Sequence, residues 1–376
     1  MKKIGILSAV YHNWNLGGML QGYALSAALR EQGYSACQIR NTWRALYNNG
    51  FRGAVKKAVL GNRLSFNIYN SYCQNDLRDL KRFSAFQKVI SFSGFYNHES
   101  IRKANKKFDC FIAGSDQIWN PTFHNDTLLR MYGLLFADKD KRKISYAASI
   151  GSEKAASGHE ALFKEILDNL DYISVRENAA RDFLQPLTDK PVVVTADPTI
   201  LLTSSDWDKV AVLPHRQEPY AFAYFLGEKD NRHDKELQHI LDELHLPMTC
   251  IADELGVYPR SQDEQIFDAG PGEFVGYIKN ADMVLTNSFH GMVFSVLYNK
   301  PFWVFKRNRD DDEASMNNRI TDFLAELGLE NRLVQNGEFL TQERLHEKID
   351  YATVNRLVQE KREFSINWLK NAIDAK

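Results

Sequence analysis

A chain of 376 residues is too long for one ordinary core and sets an expectation of two domains. Its 47 basic and 48 acidic side chains nearly cancel to a formal net charge of -1, which removes any global reason to bind nucleic acid and makes an anion site a local matter. No apolar run approaches the roughly 20 residues needed to span a bilayer, and Met1-Lys2-Lys3 leads into the run Ile4-Gly5-Ile6-Leu7, too short for the core of a secretory leader, so a cytoplasmic protein is expected.

The four cysteines, Cys37, Cys73, Cys110 and Cys250, are far apart and show no metal-ligand or redox spacing. Cys37 and Cys110 fall in apolar runs, where cysteine packs as a small hydrophobe; the pattern fits a reducing compartment.

In chain order, residues 3–9 read as a short apolar strand and 13–18 as a polar glycine turn. Over 19–32 the positions Leu20, Tyr23, Ala24, Ala27 and Ala28 recur with helical spacing. Gly33 ends that run, and 34–40 reads as the next strand. Strand, glycine turn, helix and strand make a βαβ unit, which implies a parallel sheet. Residues 43–90 break the pattern with nine Lys/Arg (Arg44, Arg52, Lys56, Lys57, Arg63, Arg78, Lys81, Arg82, Lys88) against Asp76 and Asp79, interleaved with aromatics. The expectation is a basic, aromatic helical insertion at about 43–100. Its basic face is a candidate for peripheral contact with anionic lipid headgroups or a lipid diphosphate.

Further strands are expected at 108–114, 143–148, 172–176 and 191–196. The series restarts after a polar, turn-rich link near 200–218, with strands at 220–227, 247–252, 265–269, 283–287 and 301–306 and a charged helix at 230–243. The predicted fold is α/β, with two Rossmann-like domains facing each other across a cleft. Residues 1–205 make the first and 206–376 the second, the last helix being a candidate to pack back on the first.

Six segments, in order, carry a resemblance. They are Asn15-Leu16-Gly17-Gly18 with Gln21-Gly22-Tyr23; Gly114-Ser115-Asp116-Gln117-Ile118-Trp119-Asn120-Pro121; Ile144-Ser145-Tyr146-Ala147-Ala148-Ser149; Ile173-Ser174-Val175-Arg176-Glu177; Ala196-Asp197-Pro198-Thr199; and Thr286-Asn287-Ser288-Phe289-His290-Gly291. Together they make the chain resemble the polysaccharide pyruvyl transferase family from about residue 4 to residue 330. The resemblance implies a fold similar to the glycosyltransferase type B arrangement. It also implies transfer of an enolpyruvyl unit from phosphoenolpyruvate to two hydroxyls of a sugar, in a surface polysaccharide or its lipid-linked precursor. A pyruvate ketal forms and phosphate leaves. Phosphoenolpyruvate then serves as co-substrate, with no other cofactor and no metal.

A small donor bearing a carboxylate and a phosphate calls for convergent cations and N–H groups, and arginine suits both anions because its planar fork donates in pairs. His290 follows one predicted strand and opens a helix, a position where open α/β sheets bind ligands, and imidazole titrates near neutrality. It is the first catalytic candidate, with Asn287, Ser288 and Gly291 as donor contacts at the same turn. Some family members carry arginine beside this histidine, a place Phe289 takes here; Lys306, Arg307 and Arg309 are candidate replacements, Lys306 favoured. Arg176 ends a strand of the first half and is the second catalytic and donor candidate, implied by the family's matching arginine. Arg319, at the start of a later helix, is a further donor candidate.

The loop with Ser115, Asp116, Gln117, Trp119 and Asn120 offers an aromatic platform and polar partners for an acceptor sugar. The turn with Asn15, Gly17 and Gly18 allows a ligand close to the backbone. An acid-base role is open to Asp197. The acidic run at 310–313 reads as solvated, since contiguous carboxylates point in different directions. Two rival readings stay open: a type B glycosyltransferase using a nucleotide sugar, and a non-catalytic carbohydrate-binding member of the same fold. Residues 291–301 contain no acid, whereas many nucleotide-sugar enzymes carry a ribose-binding glutamate there.

Overall fold

The computed structural model describes residues 1–11, 14–41, 81–97, 100–216, 218–226, 233–251, 263–308 and 317–375. Most of the basic stretch at 43–90, together with Cys73, Arg309 and the acidic run at 310–313, lies outside the described residues.

Two wholly parallel sheets organise the chain. The first contains β1 (Lys3–Leu7), β2 (Ser35–Asn41), β3 (Phe92–Tyr96), β4 (Cys110–Ala113), β5 (Arg142–Ala148), β6 (Tyr172–Val175) and β7 (Val192–Val194), in the order β3-β2-β1-β4-β5-β6-β7. The second contains β8 (Ala221–Tyr224), β9 (Met248–Ile251), β10 (Glu264–Ile266), β11 (Met283–Thr286), β12 (Phe302–Phe305) and β13 (Leu333–Val334), in the order β10-β9-β8-β11-β12-β13. Strands β4, β8, β9, β11 and β12 are buried along their whole length. That burial suits unbroken apolar runs covered on both faces. Each sheet grows to one edge and then turns back, so β4 lies beside β1 and β11 beside β8. These two reversals are topological switch points, and ligand crevices form outside the carboxyl ends of such strands.

The first helix, Leu16–Glu31, starts at Asn15, whose side chain accepts from the Gly18 N–H at 2.8 Å. It is buried on nearly all sides, as its alanine- and leucine-rich composition allows. The expected helical insertion is corrected at its far end. Residues 92–96 form the edge strand β3 against β2, too short and too broken by Gly94 for alternation to reveal it. Within the helix Lys81–Gln87, Phe83 and Phe86 are buried. Arg82 reaches across to the second domain, bonding Glu273 at 2.6 Å and Asp268 at 2.9 Å.

The chain passes between the sheets through short helices at Pro198–Leu201 and Ser204–Trp207, the second opened by a Thr203/Asp206 capping box. Trp207 is fully buried and lies against Tyr23 of the first domain (5.6 Å) and Phe294 of the second (4.8 Å). A single apolar cluster therefore includes Ile4 and Ile6 of the first sheet and Phe222, Val284 and Val304 of the second. The last helix, Tyr351–Asp374, lies against the first domain: Ser365 accepts from the Ala196 N–H at 2.9 Å, Tyr34 bonds Asp374 at 2.6 Å and Lys2 bonds the Ile373 carbonyl at 2.7 Å. None of the described helices is long and apolar enough to cross a membrane.

Candidate active site

The two switch points face each other, and the turn after β11 shows how the sequence builds one side. Thr286 Oγ1 donates to the Tyr224 carbonyl at 2.5 Å, which ties β11 to β8. Asn287 accepts from the Leu226 N–H (2.7 Å) and donates to the Leu226 carbonyl (2.9 Å), so both ends of its amide are engaged. Ser288 caps the helix Phe289–Leu297 by accepting from the Gly291 N–H at 3.4 Å. A β-carbon on Gly291 would lie 2.6 Å from Thr286 Oγ1, so only glycine lets this helix approach the strand. Asn287, Ser288 and Gly291 were expected to touch the donor. They form the buried frame of the turn, and their product is the placement of His290 in the helix's first turn.

His290 is buried at 8% exposure and projects from the second domain onto the glycine turn of the first. A β-carbon on Gly17 would lie 2.0 Å from His290 Nδ1, so Gly17 permits the close approach of this imidazole. Gly18 and Asn15, also expected at the acceptor, form the helix cap. On its other side, His290 Nε2 lies 3.7 Å from Asp197 Oδ2 and has no hydrogen-bond partner among the described residues.

Asp197 follows β7 and has no measurable side-chain exposure. Its Oδ2 accepts from Arg176 Nη1 at 2.9 Å and from Ser115 Oγ at 3.4 Å; its Oδ1 accepts from the Thr199 N–H (3.0 Å) and hydroxyl (2.7 Å). Burial alone would raise this carboxyl, but His290, Arg176 and Thr199 together hold it well below the usual carboxylate range. Arg176 follows β6, and its Nε donates to Glu177 at 3.0 Å. Burial disfavours its charge, yet Glu177, Asp197 and Asp116 outweigh that and raise it further above its ordinary value. The guanidinium stacks on Phe289 at 5.1 Å. Its Nη2 has no hydrogen-bond partner among the described residues.

Arg319, in the helix Asn318–Leu327, lines the same small cavity together with Phe289, Glu177, Asp322 and Phe323. No carboxylate lies within ion-pair distance of it among the described residues, and its Nε has no hydrogen-bond partner. Burial and the nearby Arg176 push its pKa down to about 10. Asp322, one turn along, has its carboxyl raised by burial and by Glu326 and Glu177. Asp197 and Asp322 are the acids that sequence reasoning undervalued or missed. The signal for Asp197 was present: an Asp-Pro pair directly after a strand, at the same sheet end as Arg176.

The remaining expectations separate. Trp119 is fully buried, with its indole N–H on the Tyr132 carbonyl (3.3 Å) and its ring against Phe163, so it is a core side chain and not a sugar platform. Asn120 is buried and engaged with Gln117 and Thr122. Ser115 is buried against Asp197. Asp116, in left-handed backbone at φ 72°, and Gln117 are half-buried, and the Asp116 charge acts on both arginines. Lys306 is absent from the cavity lining; its carbonyl is bonded to His233 Nε2 at 2.9 Å. Arg307 acts on Arg319 by charge, with its backbone N–H on Asn317.

A sequence profile of polysaccharide pyruvyl transferases matches residues 15–309, a span that includes Gly17, Arg176, Asp197 and His290. The chain belongs to the polysaccharide pyruvyl transferase family. No curated protein matches it. Among solved structures it is similar to a candidate UDP-N-acetylglucosamine 2-epimerase from Listeria monocytogenes, with a TM-score of 0.53 at 12% identity over 100% of this chain and 98% of that one. The UDP-GlcNAc 2-epimerase from Methanocaldococcus jannaschii gives 0.49 at 12% identity, covering 96% and 92%. A calicheamicin glycosyltransferase gives 0.47 at 13% identity, covering 99% and 97%. At such identities the likeness is one of fold: this pyruvyl transferase family member has two Rossmann-like domains in the glycosyltransferase type B arrangement. A shared fold does not carry a shared chemistry, which rests on the side chains of the cavity. That cavity is lined by two buried guanidiniums, whose Arg176 Nη2 and Arg319 Nε have no hydrogen-bond partner among the described residues, and by the fixed carboxylate of Asp197, which His290 Nε2 faces at 3.7 Å.

Proposed function

We propose that the protein transfers the enolpyruvyl unit of phosphoenolpyruvate onto two hydroxyls of a sugar, in a surface polysaccharide or its lipid-linked precursor, forming a pyruvate ketal without metal or other cofactor. The observation that carries this reading is the pairing of Arg176 with Arg319. Both are buried and line one cavity beyond the carboxyl end of β6; among the described residues, Arg176 Nη2 and Arg319 Nε have no hydrogen-bond partner, and no carboxylate lies within ion-pair distance of Arg319. A buried cation without a direct ion-pair partner is costly unless an anion arrives, and two planar forks suit a molecule with both a carboxylate and a phosphate.

In the reaction, the donor's methylene carbon takes a proton and becomes a methyl group. The carbon bearing phosphate gains positive character, and one sugar hydroxyl adds there. The second hydroxyl then displaces phosphate and closes the ring. Of the two hydroxyl protons, one balances the proton gained by carbon and one leaves with phosphate. Arg176 and Arg319 hold the anions and the departing phosphate, His290 exchanges the hydroxyl proton, and the half-exposed Asp116 and Gln117 meet the acceptor. The acceptor reaches the protein in the cytoplasm, presented at the inner face of a membrane when lipid-linked.

The rival donor is a nucleotide sugar. Thermal-shift measurements with phosphoenolpyruvate and with a panel of nucleotide sugars separate the two, followed by phosphate release in the presence of lipid-linked and free glycosides. Stabilisation by phosphoenolpyruvate and acceptor-dependent phosphate release are expected. Stabilisation by a nucleotide sugar alone overturns the proposal, and glycan binding without turnover favours a non-catalytic role.

A further inference from the structure

We infer that Gly17 and Asp197 of the first domain are positioning residues for His290 of the second, so that the catalytic imidazole is seated only where the two domains touch. The inference rests on the reading of His290 as the group that handles protons. Three observations converge on it. The ring lies so close to Gly17 that a β-carbon there would overlap Nδ1, at 2.0 Å. Phe289 packs edge-on against the ring at 5.3 Å and 82°. Asp197 Oδ2 faces Nε2 at 3.7 Å, and Nε2 has no hydrogen-bond partner among the described residues.

Asp197 cannot follow the histidine if the domains shift. Arg176, Ser115 and both donors of Thr199 fix its carboxylate to the first domain. The simpler role for Asp197, neutralising Arg176, is already met in part by Glu177 at 3.0 Å. Asp197 adds an acceptor on the imidazole's side, since Oδ2 is the oxygen shared between Arg176 and His290. In the neutral ring, a carboxylate 3.7 Å from Nε2 favours the tautomer that carries its proton there, by the same logic that orients a histidine beside a carboxylate in other enzymes. Nδ1 is then the unprotonated nitrogen of that ring, and the fit of the ring against Gly17 fixes the direction in which it points.

The test combines a spectrum with kinetics on the full chain. In ¹⁵N-histidine-labelled protein, the His290 ring is identified by its loss in His290→Gln, and its neutral form is expected with the proton on Nε2. In Asp197→Asn that preference is expected to disappear. Gly17→Ala leaves every Asp197 bond in place but displaces the ring; with misplacements of about 1 Å costing about 100-fold in rate, kcat is expected to fall by that order while KM for phosphoenolpyruvate stays within about twofold. A wild-type ring protonated on Nδ1, or a folded Gly17→Ala protein with wild-type kcat, overturns the inference. The spectrum needs no turnover, so absence of transfer from phosphoenolpyruvate removes the proposed function without deciding the seat.

Discussion

Arg176 and Arg319 bring the same charge to one cavity on different energetic footings. Arg176 is matched by Asp197 and Glu177, both buried. Arg176→Ala strands two carboxylates, and breaking a buried pair from one side costs about 3–5 kcal/mol. A lowered melting temperature is therefore expected alongside weaker donor binding. Arg319 has no ion-pair partner among the described residues, Glu177 and Asp116 acting on it only from a distance. Arg319→Gln is expected to leave the melting temperature unchanged or raised, while KM for phosphoenolpyruvate rises about 10–100-fold, the equivalent of about 1.5–3 kcal/mol for a hydrogen bond to a charged group. A large loss of stability in that variant would contradict the assignment of Arg319 to ligand. Asp197 adds a pH dependence of known sign. Its folded pKa is depressed, so the stability it contributes is complete above the ordinary aspartate value of about 3.9 and is lost as pH falls below it. In acid titrations, the stability difference between wild type and Asp197→Asn is expected to shrink below about pH 4.

At the scale of elements, the turn after β11 is a framework whose parts look like a binding motif. Asn287→Ala removes two hydrogen bonds to the half-buried Leu226 backbone, at about 0.5–1.5 kcal/mol for each bond lost. Gly291→Ala forces a methyl onto Thr286 Oγ1, an overpacking worth about 1–3 kcal/mol. Both are expected to appear in denaturant midpoints, and donor binding normalised to folded protein is expected to change little. The sequence contains the pattern of this turn but not the destination of its side chains. Asn287 and Trp119 carry groups that suit a sugar or a phosphate, and nothing local announces that Leu226 and Tyr132, distant in the chain, have claimed them. The opposite case is the βαβ opening, legible because its periodicity and glycine stop are local. β3 and β13 escaped because strands of five and two residues, at sheet edges, present little alternation to read.

For the whole molecule, parallel sheets explain why Arg176 and His290 were readable as residues of one crevice: each follows a strand, and the carboxyl ends of parallel strands share one edge of their sheet. Asp197 shows the limit, since its importance lies in meeting a side chain from the other domain. The Arg82 clamp to Asp268 and Glu273 spans the domains, yet Arg82 and Asp268 are about half exposed (43% and 53%). Such pairs are worth about 0–1 kcal/mol, so Arg82→Ala is expected to move the melting temperature very little.

What joins the domains is the apolar interior around Trp207, continuous from Ile4 to Val304. Neither half can expose its side of that interior without stripping the other. Scanning calorimetry should accordingly record one endotherm whose van't Hoff and calorimetric enthalpies agree, and either half expressed alone should bind hydrophobic dye and precipitate.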